Sequence, residues 1–246
     1  LLALRQVYAG QVGILLTAAA WVDAPYDSAD CSSDPDEDGQ PECLLADDHV
    51  FAVIETTGAR LTHLFLRDES GVHQVVAPTT QFTLGLSDPS TWQPTLGDAA
   101  DPGALVGAFS DAQDTFAEFQ PSIRSEVIRL TSETMDKSFR LLENGIQVTC
   151  QSDVPLSFRI PLAVDPQVFY SGSGTYLSSL LPGSWTWGVA GGFQVEVRSD
   201  GNLVADGFTS AQPFLESGED PDKDYPYMHY FPFPFSLVSV TGEGEV

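Results

Sequence analysis

The chain has 246 residues, 42% of them hydrophobic, enough to bury a sizeable core as one large all-β domain or two ordinary ones and too apolar for a disordered protein. Thirty-five acidic against ten basic residues give a formal charge of −25, which repels phosphate backbones and anionic lipid and argues against nucleic acid and membrane surfaces as partners. Cations and neutral substrates remain. No G-x-S-x-G, H-E-x-x-H, G-x-G-x-x-G or P-loop occurs, which removes the common hydrolases, zinc proteases and nucleotide enzymes as motif-based readings.

The chain begins at Leu1 rather than Met, and reads as a fragment or a processed product of something longer. Residues 1–22 are apolar but interrupted by Arg5, Gln6 and Gln11, so the uninterrupted run is too short to span a bilayer. Leu4, Val7, Tyr8, Gln11, Ile14, Leu15 and Ala18 recur at helical spacing, which predicts a helix with a mostly buried face. Such a helix needs something to pack on, either the body of this domain or a domain upstream.

An acidic loop follows. Asp34-Pro-Asp36-Glu-Asp38-Gly39-Gln40-Pro-Glu42 sets oxygen ligands at alternate positions, with a glycine where a tight loop must turn. Calcium takes six to eight oxygens, and a D-x-D-x-D-G run can wrap carboxylates and a carbonyl around one ion. An EF-hand would place a bidentate glutamate at the twelfth loop position, which here is Leu45, so the loop is of another kind. Side-chain oxygens from Asp34, Asp36, Asp38 and Glu42, with the carbonyl of Gln40, would complete the sphere. The alternative is an acidic solvated turn. Cys31 and Cys43 flank the run and suggest a disulfide closing the same loop. A bridge there implies an oxidising compartment, hence an extracellular or cell-surface location. The third cysteine, Cys150, lies in the strand-like run Ile146-Gln-Val-Thr-Cys150 and reads as a small buried hydrophobe.

Strand signals dominate from there on: residues 50–55, 61–67, 73–77, 123–130, 137–143, 146–151, 156–162, 193–197 and 235–240. Asn144-Gly145 marks a hairpin, and Ser199-Asp200-Gly201-Asn202 offers a second turn. Many strands joined by short turns predict an all-β body of stacked antiparallel sheets. Residues 86–114, broken by Asp88-Pro89, Gln93-Pro94 and Asp101-Pro102, read as a long loop, and residues 214–235 as a second irregular stretch whose prolines prevent a regular strand.

Aromatic residues are the clue to a binding role. Sugars stack their C–H faces on flat rings while their hydroxyls reach carboxylates and amides. Trp185 and Trp187 fall on one side of a strand, and Tyr225, Tyr227, His229 and Tyr230 cluster among prolines. They form either a sugar platform at Trp185, Trp187, Tyr227 and His229, or core and wrapping loop. Of the other histidines, His49 ends the acidic loop, His63 alternates with Leu61 and Phe65 and points inward, and His73 is a packed or edge residue. Glu55, Asp88, Glu118 and Asp165 lie near apolar runs, but in a chain this acidic such residues are strand-end or turn groups before they are catalysts.

The order of elements resembles a known region. A helix and a cysteine-flanked D-x-D-x-D-G-x-x-E loop lead into Asp47-Asp-His-Val-Phe-Ala-Val-Ile-Glu55 and Gly58-Ala-Arg-Leu61. His73-Gln-Val-Val76, Gly85-Leu-Ser-Asp-Pro-Ser-Thr-Trp92, Arg159-Ile-Pro-Leu162, Trp185-Thr-Trp-Gly188 and Tyr230-Phe-Pro-Phe-Pro-Phe235 follow. Together they resemble the C-terminal non-catalytic region of secreted family 57 glycoside hydrolases and amylopullulanase-like proteins, with Ala59 where the family carries a second glycine. The resemblance implies an antiparallel β-supersandwich similar to galactose mutarotase domains, with the catalytic barrel lying upstream. On that basis residues 1–24 form a helix linking to an upstream domain, and residues 25–246 form the supersandwich with its calcium-type loop at 34–42. The expected function is a calcium-stabilised accessory domain of an extracellular carbohydrate-active protein. Its expected partners are polysaccharide or oligosaccharide and an upstream catalytic domain or sister subunit, without catalysis of its own. The alternative is a structural cell-surface assembly protein that binds no sugar.

Overall fold

The computed structural model describes residues 2–76, 108–111, 117–163, 176–181, 183–189, 193–199, 202–206, 215–219, 226–230 and 235–245, with side chains described for 12–76, 108–109, 117–152, 181, 183–186 and 193–199. One helix, α1 (Leu2–Asp23), precedes the strands β1 (Ser28–Ser33), β2 (Glu42–Ala46), β3 (Val50–Glu55), β4 (Arg60–Asp68) and β5 (Gly71–Val76). Then come β6 (Ser110–Asp111), β7 (Gln120–Arg124), β8 (Val127–Thr131), β9 (Met135–Leu142), β10 (Gly145–Ala163) and β11 (Tyr176–Leu181). The remaining strands are β12 (Ser184–Val189), β13 (Gln194–Arg198), β14 (Asn202–Asp206), β15 (Leu215–Glu219), β16 (Pro226–Tyr230) and β17 (Phe235–Glu245). Among the described residues every pairing is antiparallel. The all-β sandwich expected from the strand signals is therefore the observed fold class.

Two large sheets carry the body. One is β1-β2-β3-β4-β5 in sequence order; the other runs β14-β17-β10-β9-β8-β7, with β6 joined to β10. Smaller sheets are β11-β12-β13 and β15-β16. Alternation along β2 and β3 explains the layering. Cys43, Leu45, Ala52 and Ile54 face one way and join Ile128, Leu130, Met135, Phe139 and Cys150 of the second sheet in the main core. Leu44, Ala46, Phe51 and Val53 face the other way and pack with Phe65 beneath Ile14, Ala18 and Trp21 of α1. Because both faces of the first sheet are covered, its central strands read as nearly unbroken apolar runs.

The helix occupies the expected residues, but its buried stripe is Ile14, Ala18 and Trp21, and Leu15 is 45% exposed rather than buried. Leu4, Val7, Tyr8 and Gln11 lie outside the described side chains. Two anchors hold the helix C-terminus: Trp21 Nε1 donates to Asp47 O at 2.6 Å, and Arg67 Nη2 donates to Val22 O at 2.8 Å with its guanidinium over the Trp21 ring. The aromatic trio Trp21, Phe51 and Phe65 continues the contact down to the sheet.

Four strand boundaries differ from expectation for local reasons. The run at 123–130 is a hairpin, because Ser125 and Glu126 both adopt positive φ (48° and 64°) and Arg124 pairs with Val127. That is a two-residue turn made without glycine or asparagine, the residues that usually signal it. The runs at 146–151 and 156–162 are one strand, β10, whose pairing to β17 shifts register between Ser152 and Leu156. The stretch at 214–235, expected to be irregular, contains the hairpin β15–β16; Pro226 is the first residue of its strand, where a missing N–H is tolerated. The Glu143-Asn144 turn closes the β9–β10 hairpin one residue earlier than the Asn-Gly motif indicated. The turn anticipated at Ser199–Asn202 joins strands of two different sheets, β13 and β14. Most of the long loop at 86–114 lies outside the described residues.

Lys137 is fully buried between the two large sheets, donating to Gly58 O (2.8 Å), Ala59 O (3.2 Å) and Phe109 O (2.6 Å) and lying over the Phe119 ring. It fastens the β3–β4 turn, where Gly58 and Ala59 both have positive φ (73° and 45°), to the opposite sheet. Cys150 is buried in the core, as its apolar surroundings indicated.

Candidate metal centre

The acidic loop joins β1 to β2. Asp30 pairs with Leu44 and Ser33 with Glu42, with a bulge between, and a Cys31–Cys43 disulfide links the two strands beneath the loop. Inside the loop the chain turns back on itself through Glu37 and Gly39, at φ 58° and 92°. Only glycine adopts the latter without cost, which is the reason for Gly39. Asp34 accepts from the N–H groups of Asp38 (3.1 Å) and Gly39 (3.1 Å), Asp36 also accepts from Asp38 N–H (3.1 Å), and Asp38 accepts from Gln40 N–H (2.7 Å). These bonds curl the backbone so that the carboxylates converge instead of spreading into solvent.

Asp34, Asp36, Asp38 and Glu42 each offer an oxygen, and these oxygens all lie within 4.8 Å of one another. Oxygens around calcium sit about 2.3–2.6 Å from the ion, so two on opposite sides are about 5 Å apart. The cluster therefore has the span of a single coordination sphere and could hold a metal ion. Glu42 decides its character. It begins β2 on the side of Leu44 and Ala46, the side that α1 covers. It is only 2% exposed, and its Oε2 is buried without a hydrogen-bond partner. A buried acceptor left unmatched costs about 1–3 kcal/mol, more if charged, unless something supplies positive charge.

Electrostatics point the same way. Burial, reinforced by Asp36, Asp38, Asp34 and Glu55, pushes the Glu42 carboxyl up to about 8. Asp36 is pushed up to about 6, again chiefly by burial. Burial and the neighbouring acids keep a proton on Glu42 at neutral pH, which a divalent cation would displace. An all-oxygen, all-acidic donor set suits a hard cation rather than zinc or copper.

Two residues at the site were not among the sequence candidates for it. Glu55 lies directly across from Glu42 on β3, and Arg60 of β4 pairs with Glu55 and donates to its carboxylate. Arg60 thus offsets the charge of Glu55, the acid that faces Glu42 across the strand pair. The strand spacing that brings Glu42, Glu55 and Arg60 into adjacent register becomes visible only once β2, β3 and β4 are aligned. Of the expected ligands, Gln40 is fixed in the loop through its N–H.

The carbohydrate candidates lie on two strands, β12 and β16. Trp185 is fully buried in the main core and shows no ring face to solvent, which corrects its assignment to a sugar platform: its place is packing. Trp187 lies two residues further along β12, whereas Tyr227 and His229 lie on β16 in a different sheet. The side chains of Trp187, Tyr227 and His229 lie outside the described ones.

His63 and His73 fall as expected, whereas His49 does not end the acidic loop, because β2 separates it from the loop. His63 is buried beside Phe65, and burial drives its imidazole down to about 3, so it is neutral. His49 is in the β2–β3 turn, where Asp47 accepts from the N–H groups of His49 and Val50 (2.7 and 2.8 Å). His73 stacks on Phe193 with centroids 4.0 Å apart. Its Nε2 is 2.8 Å from Ser70 Oγ and 3.3 Å from Asp68 Oδ1. One nitrogen thus faces both groups, whereas a relay needs serine and acid on opposite ring nitrogens. The cluster is a turn clamp. Glu118 accepts from Thr57 Oγ1 at 3.2 Å, a strand-end bond, while Asp88 and Asp165 lie outside the described residues.

No family model matches the sequence, and no curated protein matches it. Among solved structures the chain is similar to the 4-alpha-glucanotransferase from Thermococcus litoralis, with a TM-score of 0.52 and 11% identity over 90% of this chain and 38% of that chain. At that identity the likeness is one of fold, and the chain spans well under half the length of the matched protein. Among the described residues no helix is long and apolar enough to cross a membrane.

Proposed function

We propose that the chain is a calcium-stabilised accessory β-sandwich of an extracellular carbohydrate-active protein, positioning or binding polysaccharide for a catalytic unit that it does not itself contain. One observation carries the calcium: the buried carboxylate of Glu42, one oxygen of which lacks a partner, clustered with three loop aspartates. The disulfide beside the loop supports an oxidising compartment. The carbohydrate part rests on the family 57 resemblance of the sequence motifs and on a fold similar to part of a 4-alpha-glucanotransferase. Asp34, Asp36, Asp38 and Glu42 would hold the ion, which would supply fixed positive charge to a site that otherwise repels itself. Trp187, Tyr227 and His229 are the residues through which a glycan would be tested.

Calorimetric titration of the chelator-treated protein with calcium chloride, followed by glycan-array binding of the calcium form, tests both parts. One saturable calcium site and α-glucan binding weakened by Trp187→Ala are expected. No metal heat removes the ion, and a blank array removes the carbohydrate role.

A second reading, a cell-surface building block without sugar binding, draws on the outer face of α1, where Val12, Leu15, Leu16 and Val22 are exposed. Ordered polymers in sedimentation velocity, with no glycan bound, would favour it.

A further inference from the structure

Gly13 lies in α1 two turns before Trp21, and it meets the acidic loop directly. A Cβ at this position would fall 1.9 Å from the carbonyl oxygen of Pro35 and 3.1 Å from its carbonyl carbon. Helix and loop are thus in backbone contact at a point where no side chain fits. Pro35 stands between Asp34 and Asp36, two residues of the carboxylate cluster. Glu42, whose buried oxygen lacks a protein partner, lies under the same helix on the face it shares with Leu44 and Ala46.

We infer that the cation centre is a latch for the helix: metal occupancy sets the loop backbone at Pro35, and that backbone seats α1 at Gly13. The inference rests on the proposed metal site. Besides the buried stripe of Ile14, Ala18 and Trp21 that packs on the first sheet, the helix has two further described anchorages of different kinds. At its C-terminal end Trp21 and Arg67 tie it to Asp47 and to β4 through groups remote from the loop. At Gly13 it rests on the loop that carries Asp34, Asp36 and Asp38, whose carboxylates repel one another and Glu42 without a cation. Losing the metal lets the loop spread, and the helix loosens from Gly13 toward its N-terminus while Trp21 stays docked. By linkage the reverse holds: a helix that cannot approach at Gly13 weakens metal binding by the same factor. The apolar outer face of α1, with Val12, Leu15 and Leu16, is thereby presented in a calcium-dependent position.

The test is hydrogen exchange of the whole chain in calcium chloride and in EGTA, read over helix residues 12–18 and separately over residues 19–23, alongside calcium titration of the wild type and Gly13→Ala. Exchange at 12–18 is expected to rise at least tenfold without calcium, with 19–23 changing far less, and Gly13→Ala is expected to weaken calcium binding at least tenfold. Calcium binding with unchanged exchange at 12–18 overturns the latch while leaving the metal site standing. Absence of any calcium binding removes both. Should Gly13→Ala not fold, the wild-type exchange comparison decides alone.

Discussion

Glu42→Gln reverses sign with metal, and its magnitude follows from the site. In the metal-free protein the Glu42 carboxyl sits at about 8 against an ordinary value of 4.5. The folded state therefore keeps a proton that the unfolded chain has released, and stability falls as pH rises from about 4.5 until it levels off above about 8. Other shifted groups complicate the lower part of that range. Asp36 adds to the fall up to about 6, while His63, held neutral, gives the opposite slope up to its ordinary 6.5. Between pH 6.5 and 8 only Glu42 contributes among the shifted groups of the described residues. One and a half pH units at about 1.4 kcal/mol each give about 2 kcal/mol. For a chain of this size that is a fall in melting temperature of about 4–8 °C. Glu42→Gln carries no titrating proton, so its metal-free stability should be flat across the window and higher than wild type at pH 8. With saturating calcium the ordering inverts, because the variant lacks a charged ligand. Urea unfolding at pH 6.5 and 8, in EDTA and in calcium, reads all four corners. A metal-free wild type equally stable at both pH values, or a Glu42→Gln variant showing the same fall, would refute the buried-carboxylate account.

Replacing Cys31 and Cys43 together by serine should cost about 3 kcal/mol, the loop-closure value for a bridge spanning 12 residues, and should weaken metal binding as well, by calorimetry. Lys137→Met should destabilise by about 3 kcal/mol in urea, since two buried carbonyls and a part-buried one lose their shared donor; a change under about 1 kcal/mol would show that they find other partners. Glu126→Gly should stabilise by about 1 kcal/mol, relieving a left-handed residue at the β7–β8 turn.

Much of the metal centre was legible because its chemistry is local. Alternate aspartates, a glycine at the turn and two flanking cysteines lie within thirteen consecutive residues, and the structure gathers them where the sequence put them. Glu55 and Arg60 were not legible as members of the site, because they reach it through strand register, a relation between β2, β3 and β4 that no linear spacing expresses. Trp185 shows the opposite failure. A tryptophan beside glycines reads equally as platform or core, and burial by the second sheet decided for core. The Ser125-Glu126 turn stayed hidden because two ordinary residues carry positive φ there.

By itself the sequence determined the all-β class, the N-terminal helix, the disulfide and the grouping of acidic residues in one loop, since period, turn residues and charge act over a few neighbours. Only the tertiary structure decided that the first sheet is covered on both faces, that Glu42 is buried and unmatched beneath α1, and that Gly13 touches the loop. Burial depends on what the rest of the chain brings to the other side. A carboxylate becomes a demanding ligand, and a glycine a point of contact, only when another layer closes over them.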